Sequence, residues 1–326
     1  MADNSENWDV VIVGGGLAGL SAAIYLGRAM RRTIVIDSGK SMAVWEPDVQ
    51  NYLGFPEGIG GEELLHRGRK QAERYNIEFA EDEILDAIRT NDVFQLRGRA
   101  QTYSARKVIL ATGIFHIPPE IEGVTECLGR SMYFCKDCDG YRVQGKAIAV
   151  YGWNNEAVEY ALGMLAYTPT VAIFTNSRSS QWSAQHQKWI EEYRLPVYPQ
   201  KIQRLKRTEF QIRSLVLDDG TEVIVEALFA TRGDVYYNKL ARSLGAHVDK
   251  EGQVTIDDHM ATSIPGLYAA GCVTPANCQM IIAAGDGAIA AQAINRTMFK
   301  EALESHSLKQ VRARQLEKER TEPVTI

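Results

Sequence analysis

The chain lacks several features that would assign it to a membrane or to nucleic acid. Its 326 residues carry a net charge of −5, so no overall excess of basic residues attracts nucleic acid or an anionic membrane. No apolar stretch reaches the roughly 20 residues needed to cross a bilayer. The first residues, MADNSENWDV, are polar and acidic and do not resemble a signal peptide. We therefore expect a cytoplasmic protein with no nucleic-acid or membrane partner.

Cysteine is also scarce, with five residues in the whole chain. In a cytoplasmic protein, catalytic, metal-binding or buried roles are favoured over structural cross-links for them. The five are Cys127, Cys135, Cys138, Cys272 and Cys278. Hydrophobic residues make up 45% of the chain, which is enough for one or two sizeable cores and favours two domains.

Two stretches of the chain share one order of strand, turn and helix. The first contains the apolar strand “WDVVIVGGG”, the helical pattern “LAGLSAAIYLGRAM” and a second strand, “RRTIVID”. The second, “KAIAVYGWNNEAVEYALGML” followed by “TVAIF”, repeats this order about 138 residues later, counted from Gly14 to Gly152. The duplication predicts an α/β protein with two Rossmann-like, three-layer dinucleotide-binding domains. Between them, the Gly- and Pro-rich segment 38–61 is too long for a simple connection, and we expect it to be functional.

The first glycine turn predicts dinucleotide binding. “VIVGGGLAGL” places Gly14, Gly16 and Gly19 in the pattern GxGxxG, directly after a strand and into a helix. The first glycine allows the tight turn, the second lets the backbone approach a pyrophosphate, and the third lets helix and strand pack closely. The diphosphate then meets free N–H groups and a favourable dipole. Asp37, at the end of the second strand, can accept hydrogen bonds from ribose hydroxyls.

Two later strand ends favour FAD over NAD. “ATG” (Ala111–Gly113) closes one strand, and “GLYAAG” (Gly266–Gly271) closes another near the C-terminus. Small residues at strand ends let separate loops close over one extended cofactor. We therefore expect one FAD in each subunit.

The motif “FCKDCDG” predicts a redox pair. Cys135 and Cys138 can close a small disulfide ring, and a helix N-terminus beside them can favour a thiolate. A zinc half-site is the rival interpretation, but a structural zinc needs four ligands, and the remaining cysteines and histidines are scattered. Two buried structural thiols are the third interpretation. Asp139 is suited to general acid/base work on these sulfurs, and a turn or capping role before Gly140 is equally compatible with the sequence.

Taken in order, these pieces resemble the low-molecular-weight thioredoxin reductases. The resemblance spans nearly the whole chain and includes “VVIVGGGLAGLSAAIYLGRA”, “NYLGFPEGIGGEEL”, “VILATG”, “CKDCDG”, “TSIPGLYAAG” and “QMIIAAGDGAIAA”. It implies an FAD domain split into about 1–115 and 246–300, an inserted domain at 116–245 with the CxxC motif, and a charged tail at 301–326. It also implies a homodimer in which a flavin reduces the Cys135–Cys138 disulfide, which then reduces a thioredoxin-like protein.

The resemblance also assigns residues around FAD. It implies pyrophosphate and ribose contacts from the GxGxxG turn and Asp37, contacts to the flavin half from Asn51 and Gln279, and an acid/base position at Asp139. The remaining expected FAD-binding positions are Ala18, Gly113, Gly271, Cys272 and Met280. No metal ligand is expected.

One departure from the family follows the “GLYAAG” strand. The family has Asp at this position, hydrogen-bonded to the FAD ribityl chain, and this chain has Cys272. Because a thiol is a weak donor and acceptor, we expect FAD to be held slightly differently here. A third redox-active thiol is the less favoured interpretation.

The second departure is the turn “YGWNNEAVEYA”. Members of the family that use NADPH have GxGxxA here, whereas this chain has Trp153 and Asn154 after a retained glycine. A Cβ at position 154 obstructs the approach of the backbone to a pyrophosphate, and Glu156 adds negative charge at the helix N-terminus. After the next strand, “TNSRSS” offers Thr175 and a displaced Arg178 in place of an arginine pair. We therefore predict that NADPH is not used.

Loss of the nicotinamide nucleotide requires another electron partner. The sequence resembles the ferredoxin-dependent flavin thioredoxin reductases, and reduced ferredoxin is the donor we expect. Tyr151 and Trp153 are flat surfaces on which a second FAD could stack, as in a related diflavin branch, although a role as plugs of the cleft is favoured. An oxygen-dependent dithiol oxidase and a non-enzymatic flavin sensor are two less favoured functions.

Overall fold

The computed structural model describes residues 8–321. Most of the polar N-terminal stretch and the last five residues of the charged tail lie outside the described residues. The strands are β1 (Trp8–Val13), β2 (Thr33–Asp37), β3 (Glu78–Glu81), β4 (Ile84–Thr90), β5 (Val93–Gly98), β6 (Thr102–Leu110), β7 (Ile114–His116), β8 (Met132–Tyr133), β9 (Ile148–Tyr151), β10 (Val171–Phe174), β11 (Val197–Tyr198), β12 (Ile202–Thr208), β13 (Gln211–Leu217), β14 (Glu222–Ile224), β15 (Ala227–Ala230), β16 (Asp234–Tyr236) and β17 (Leu267–Ala269).

The helices fall between these strands and at the C-terminal end. They are α1 (Leu17–Arg28), α2 (Gly61–Glu73), α3 (Lys136–Asp139), α4 (Asn155–Met164), α5 (Ala184–Glu192), α6 (Lys239–Ser243), α7 (Met280–Glu304) and α8 (Ser307–Thr321). None of those within 8–321 combines the length and the apolar composition that a bilayer crossing requires.

The first of two compact units contains the residues up to Ser41, Arg67–Gly113, and the residues from Asn238 on. Its sheet has the order β3-β2-β1-β6-β5-β4, and β17 pairs with the C-terminal part of β6. Strands β1, β2, β3, β6 and β17 are mutually parallel along this order, whereas β4, β5 and β6 form an antiparallel meander. Because helices and the meander cover both faces of β1, its sequence is almost continuously apolar.

Helices α1 and α7 pack closely in the first unit. A Cβ added to Gly287 in α7 would lie 2.0 Å from the carbonyl oxygen of Ala18 in α1. The core between the two helices and β1 is built largely from small side chains, including Ala22, Ala23 and Ala290, all fully buried. The Ala- and Gly-rich composition of both segments therefore has a packing function.

The second unit contains Met42–His66 and Ile114–Tyr237. Its main sheet is parallel, in the order β11-β10-β9-β15-β8, and a separate antiparallel sheet has the order β12-β13-β14. Strands β7 and β16 form a third, two-stranded sheet. As in the first unit, a strand (β9) passes through a glycine-containing turn into a helix (α4) and returns as a parallel strand (β10). The predicted α/β class with two Rossmann-like units is confirmed.

The predicted domain boundaries at 115, 245 and 300 stay predictions, but two features of the packing bear on them. Segment 42–66 groups with the second unit rather than with the glycine turn. Helix α7 continues to Glu304, through the predicted start of the charged tail, and α8 then presents exposed side chains over most of its described length.

Two neighbouring glycines in α7 test the helix packing. We expect Gly287→Ala to destabilise the protein by about 3 kcal/mol, because its methyl group would displace the backbone of α1. Gly285→Ala is the matched control, since Gly285 is exposed and a Cβ there meets no atom within 4 Å. This control should be stabilised by up to about 1 kcal/mol, from the better helix propensity of alanine. Denaturant unfolding measures both, and equal stability of the two variants would contradict the packing argument.

Candidate functional site

The turn between β1 and α1 requires glycine at two positions. Gly14 has φ +112°, and a Cβ there would lie 2.2 Å from the carbonyl oxygen of Ala111. A Cβ on Gly19 would lie 1.9 Å from the carbonyl oxygen of Gly14, so the first turn of α1 rests directly on the end of β1. The roles predicted for the first and third glycines as turn and close-packing residues agree with this geometry.

The start of α1 is suited to an anion. Its N-cap is Gly16, no side chain within the described part of the chain caps the helix, and the first turn has no acidic residue. The N–H groups at this end therefore need a partner, and the helix dipole favours a negative one. The carboxyl group of Asp37, at the end of β2, lies against Gly15, within 2.6 Å of a Cβ placed there. Together these groups fit the diphosphate and ribose of a dinucleotide.

The other residues expected at the cofactor fall into two groups. In the first unit, Gly113 and Gly271 follow β6 and β17 with positive φ angles of 68° and 77°, so both turns occur at the same edge of the sheet as Gly14. Gln279 is the N-cap residue of α7, and Met280 is its first helical residue. Asn51, by contrast, is exposed in a loop of the second unit. The contacts of all these residues with a cofactor stay predictions.

Cys272 does not occur as a free thiol. It forms a disulfide with Cys278, with the two Cα atoms 4.9 Å apart. The weak hydrogen bonding expected of a Cys272 thiol therefore does not apply, because a disulfide sulfur has no proton to donate to a ribityl hydroxyl. Both cysteines are evident in the sequence but their pairing is not, since five intervening residues do not fix whether a loop folds back on itself.

The CxxC motif lies at the start of the short helix α3. Cys135 and Cys138 form a disulfide, and both residues are half-buried. Cys135 is the N-cap residue, and its sulfur accepts a hydrogen bond of 3.1 Å from the backbone N–H of Cys138. The same N–H can stabilise a thiolate on Cys135 when the disulfide is open. Among residues 8–321, no group of three or more His, Cys, Asp or Glu side chains is arranged to hold a metal ion.

Asp139 is a buried carboxyl group beside the disulfide, with only 4% of the residue exposed. Burial raises its pKa to about 6, against the opposing effect of the Arg142 guanidinium, whose Nη1 lies 3.4 Å from Oδ1 of Asp139. A carboxyl group with a pKa near 6 exchanges protons close to neutral pH. The general acid/base role predicted for Asp139 is thus compatible with its surroundings.

A second carboxyl group, Glu46, shares this environment and was not predicted. Burial and the negative charge of Asp139 raise its pKa to about 7, against the opposing effect of Arg142. Arg142 also donates to the backbone and carboxylate oxygens of Asp48 and to the carbonyl of Gly129. The spacing of Asp139 and Arg142 along the chain was an available signal for their ion pair. Glu46 is distant in sequence, and only the fold of segment 42–66 brings it here.

The turn between β9 and α4 differs from the first turn in how its helix begins. Asn154 is the N-cap residue, and its side chain accepts a hydrogen bond of 3.1 Å from the backbone N–H of Ala157. The carbonyl of Trp153 accepts a hydrogen bond of 2.6 Å from the N–H of Gln181. The Asn154 side chain thus pairs an N–H group at the start of α4, whereas the N–H groups at the start of α1 have no side-chain cap and are available to a ligand.

The two aromatic residues of this turn have different surroundings. Tyr151 is 2% exposed, contributes to the core and accepts a hydrogen bond from Asn176. Trp153 is half-buried, packs against the same core, and has the guanidinium of Arg178 4.8 Å from its ring centroid. Only Trp153 therefore retains ring surface that a ligand could reach.

A dinucleotide turn and a redox disulfide on paired Rossmann-like units are characteristic of flavin-linked disulfide reductases. The family described as pyridine nucleotide-disulphide oxidoreductase matches residues 8–293 of the chain. The protein belongs to this family, whose members carry FAD, and the uncapped start of α1 with Asp37 fits that cofactor.

Individual relatives narrow the class. The chain is 31% identical over 323 residues to the thioredoxin reductase of Listeria innocua, covering 95% of this chain and 100% of the relative. It is 32% identical over 298 residues to that of Treponema pallidum, covering 88% and 96%. The crystal structure of HlmI has a TM-score of 0.87 and 28% identity, covering 94% of this chain and 97% of that chain. The protein is thus a flavin oxidoreductase of the low-molecular-weight thioredoxin reductase type.

The raised pKa of Glu46 predicts a pH-dependent stability. Between the ordinary value of 4.5 and about 7, the folded state holds a proton that the unfolded state has lost, so the free energy of unfolding should decrease as pH rises through this window. Glu46→Gln should make this decrease shallower, leaving the part due to Asp139, whose pKa is also raised. Glu57→Gln, at an exposed position of the same segment, is the control. Denaturant unfolding from pH 4.5 to 8 measures the slopes, and identical slopes for wild type and Glu46→Gln would refute the assignment.

Proposed function

We propose that this protein passes electrons through FAD to the Cys135–Cys138 disulfide and on to a thioredoxin, with reduced ferredoxin rather than NADPH as the donor. The observation that carries the proposal is the contrast between the two turns. Helix α1 begins without a side-chain cap, whereas α4 begins with the Asn154 cap.

Most of the residues expected to hold FAD lie in the first unit, and Asn51 lies in the second. When FAD is bound, the N–H groups at the start of α1 would hold the diphosphate, Asp37 would hold the ribose, and the turns at Gly113 and Gly271 would let the backbone approach the rest of the cofactor. When bound, FAD supplies the conversion between single electrons from an iron–sulfur protein and the electron pair that a disulfide requires.

The second unit carries out the thiol chemistry. Reduction of the disulfide yields two thiols, and the N–H of Cys138 stabilises the thiolate on Cys135, which attacks the disulfide of thioredoxin. Cys138 then attacks Cys135 to release reduced thioredoxin and restore the disulfide. Asp139, buried and with its pKa raised to about 6, moves the proton to and from these sulfurs.

Three features support the absence of NADPH from the second turn. Asn154 occupies the helix N–H that a phosphate would take, and the Trp153 side chain lies in the turn where a pyrophosphate would approach. The position at the end of β10 is Thr175, which offers neither a carboxylate for a ribose nor a charge for a 2′-phosphate. If each lost feature costs about 1.4 kcal/mol, binding is weakened about 1,000-fold.

The proposal includes a homodimer, expected from the resemblance.

Ferredoxins are usually acidic, so electrostatic attraction to a local basic patch should make the reaction with ferredoxin slower at high salt.

Anaerobic reduction of the purified holoenzyme tests the donor. Reduced ferredoxin should reduce the flavin and, with thioredoxin present, generate thiols, whereas micromolar NADPH should leave the flavin oxidised. Cys138→Ser is the control, because it should still accept electrons into flavin while thiol formation falls by at least about 1,000-fold. Rapid reduction by NADPH would reject the proposal. Faster turnover with oxygen and a small dithiol would favour a dithiol oxidase, and flavin reduction without any thiol exchange would favour a sensor.

A second candidate is a diflavin disulfide oxidoreductase, with another FAD at the second turn. The observation that favours it is the pair of Trp153 and Arg178, since an accessible indole can stack on a flavin and the guanidinium can bind a phosphate. The hydroxyl of Thr175 is also buried with no hydrogen-bond partner among the described residues. This candidate requires the Asn154 cap to open or the phosphates to bind elsewhere.

Flavin released by heat decides between these two. We expect one FAD per chain for the proposed function and two for the diflavin enzyme. If a second flavin is present, Trp153→Ala should lower the ratio towards one, because stacking on an aromatic ring contributes about 1–3 kcal/mol. Tyr151→Phe is the matched control, since Tyr151 lies in the core, and its ratio should equal that of wild type.

A further inference from the structure

The disulfide between Cys272 and Cys278 lies in the first unit, whereas the CxxC motif lies in the second. It joins the loop after β17 to the residue that precedes the N-cap of α7. Electron transfer from FAD through the CxxC motif to thioredoxin does not use it. Its presence therefore needs a separate explanation.

The position of this disulfide is at the edge of the sheet where the dinucleotide turn occurs. Val13, Leu110 and Ala269 are aligned in register at the carboxyl ends of β1, β6 and β17. A Cβ on Gly271, the residue before Cys272, would lie 2.9 Å from the Cβ of Ala18 in the first turn of α1. In open α/β sheets this edge is where ligands bind and chemistry occurs.

The two sulfurs have unequal surroundings. Cys272 is half-buried between fixed neighbours, because Gly271 donates its N–H to the Asp286 carboxylate and Thr274 donates to the Gly271 carbonyl. Cys278 is exposed. An incoming thiolate can therefore reach the Cys278 sulfur. Cys272 is then the leaving group of the exchange, and its side chain keeps its position.

A purely structural clip explains the pair less well. The disulfide closes a short loop, and short loops gain the least from cross-linking. The loop already has backbone hydrogen bonds from Thr274 to Gly271, from Ala276 to Thr274 and from Gln279 to Asn277. The loop thus has backbone hydrogen bonds of its own besides the cross-link, and an exposed disulfide is more readily reduced than a buried one.

We propose that Cys272 and Cys278 form a second redox-active couple, which exchanges electrons with a dithiol of the CxxC type on another protein or with a small-molecule dithiol. A thiolate of the dithiol attacks Cys278, the Cys272–Cys278 bond breaks, and Cys272 leaves as a thiolate that takes up a proton. The second thiol of the dithiol attacks its own sulfur in the mixed disulfide and releases Cys278. The dithiol loses two electrons and two protons, and the two cysteines gain them. Reversal with an oxidised partner restores the bond.

The consequence is a chain that stores four electrons in sulfur, two at each couple. The exchange written above uses only Cys272, Cys278 and the incoming dithiol, so it does not require the CxxC motif of the other unit. This inference does not depend on the identity of the electron donor.

The test uses the full-length holoenzyme with Cys135→Ser and Cys138→Ser, so that the second couple is observed alone. The protein is incubated under native conditions with dithiothreitol at graded ratios of its reduced and oxidised forms, then alkylated and weighed by mass spectrometry. We expect two alkyl groups to be added together, on Cys272 and Cys278, and to be lost again when oxidised dithiothreitol is in excess. After reduction, Cys278 should be alkylated about tenfold faster than Cys272, as its exposure requires.

Two further measurements keep the result decisive. If the variant with Cys135→Ser and Cys138→Ser does not fold, peptide mapping of the wild type reports the two couples separately. The variant with Cys272→Ser and Cys278→Ser should lose only the second pair of alkylated thiols. The proposal is overturned if the pair is reduced only after denaturation, under conditions in which the CxxC disulfide of native wild type is already open. It is equally overturned if both residues are free thiols in the protein as isolated. Neither outcome affects the ferredoxin test, which reports on flavin and the CxxC motif.

Discussion

The close contact between the ends of two parallel strands underlies the rest of the first unit. Gly14 turns directly against the carbonyl of Ala111, and Gly19 rests on Gly14, so α1 starts as near to the sheet as a backbone allows. This leaves uncapped N–H groups facing the edge where β6 and β17 also end. Cofactor binding follows from a packing constraint, because only a turn without side chains leaves both the room and the unpaired donors.

The second unit uses the same strand, turn and helix with a different outcome. A single residue, Asn154, satisfies the helix N-terminus from within the chain, and Trp153 packs its ring on the core next to the turn. The helix N–H groups are satisfied in α4 by the Asn154 side chain, whereas at the start of α1 no side chain caps them and they fit an anionic ligand. The same strand, turn and helix thus begin their helices in two different ways, and the residues of one short turn make the difference.

The surroundings of the CxxC motif depend on a segment distant in sequence. Glu46, Asp139 and Arg142 share one environment in which two carboxyl groups, that of Asp139 buried, interact with one guanidinium. Burial raises the pKa of both acids towards neutrality, and the charge of Asp139 contributes to the raised pKa of Glu46, so the two carboxyl groups titrate as a coupled pair. The long segment 38–61, expected to be functional because of its length, supplies Glu46 to this group.

The sequence by itself determined the class of fold and both glycine turns, and it favoured the CxxC motif as a redox pair, because each rests on local rules. Apolar strands, helical spacing and the steric demands of glycine are properties of a few neighbouring residues. Only the tertiary structure decided which distant groups meet. It placed Glu46 beside Asp139, buried Tyr151 while leaving Trp153 accessible, and joined Cys272 to Cys278. Burial and loop closure depend on how the whole unit packs, and no local pattern of residues specifies them.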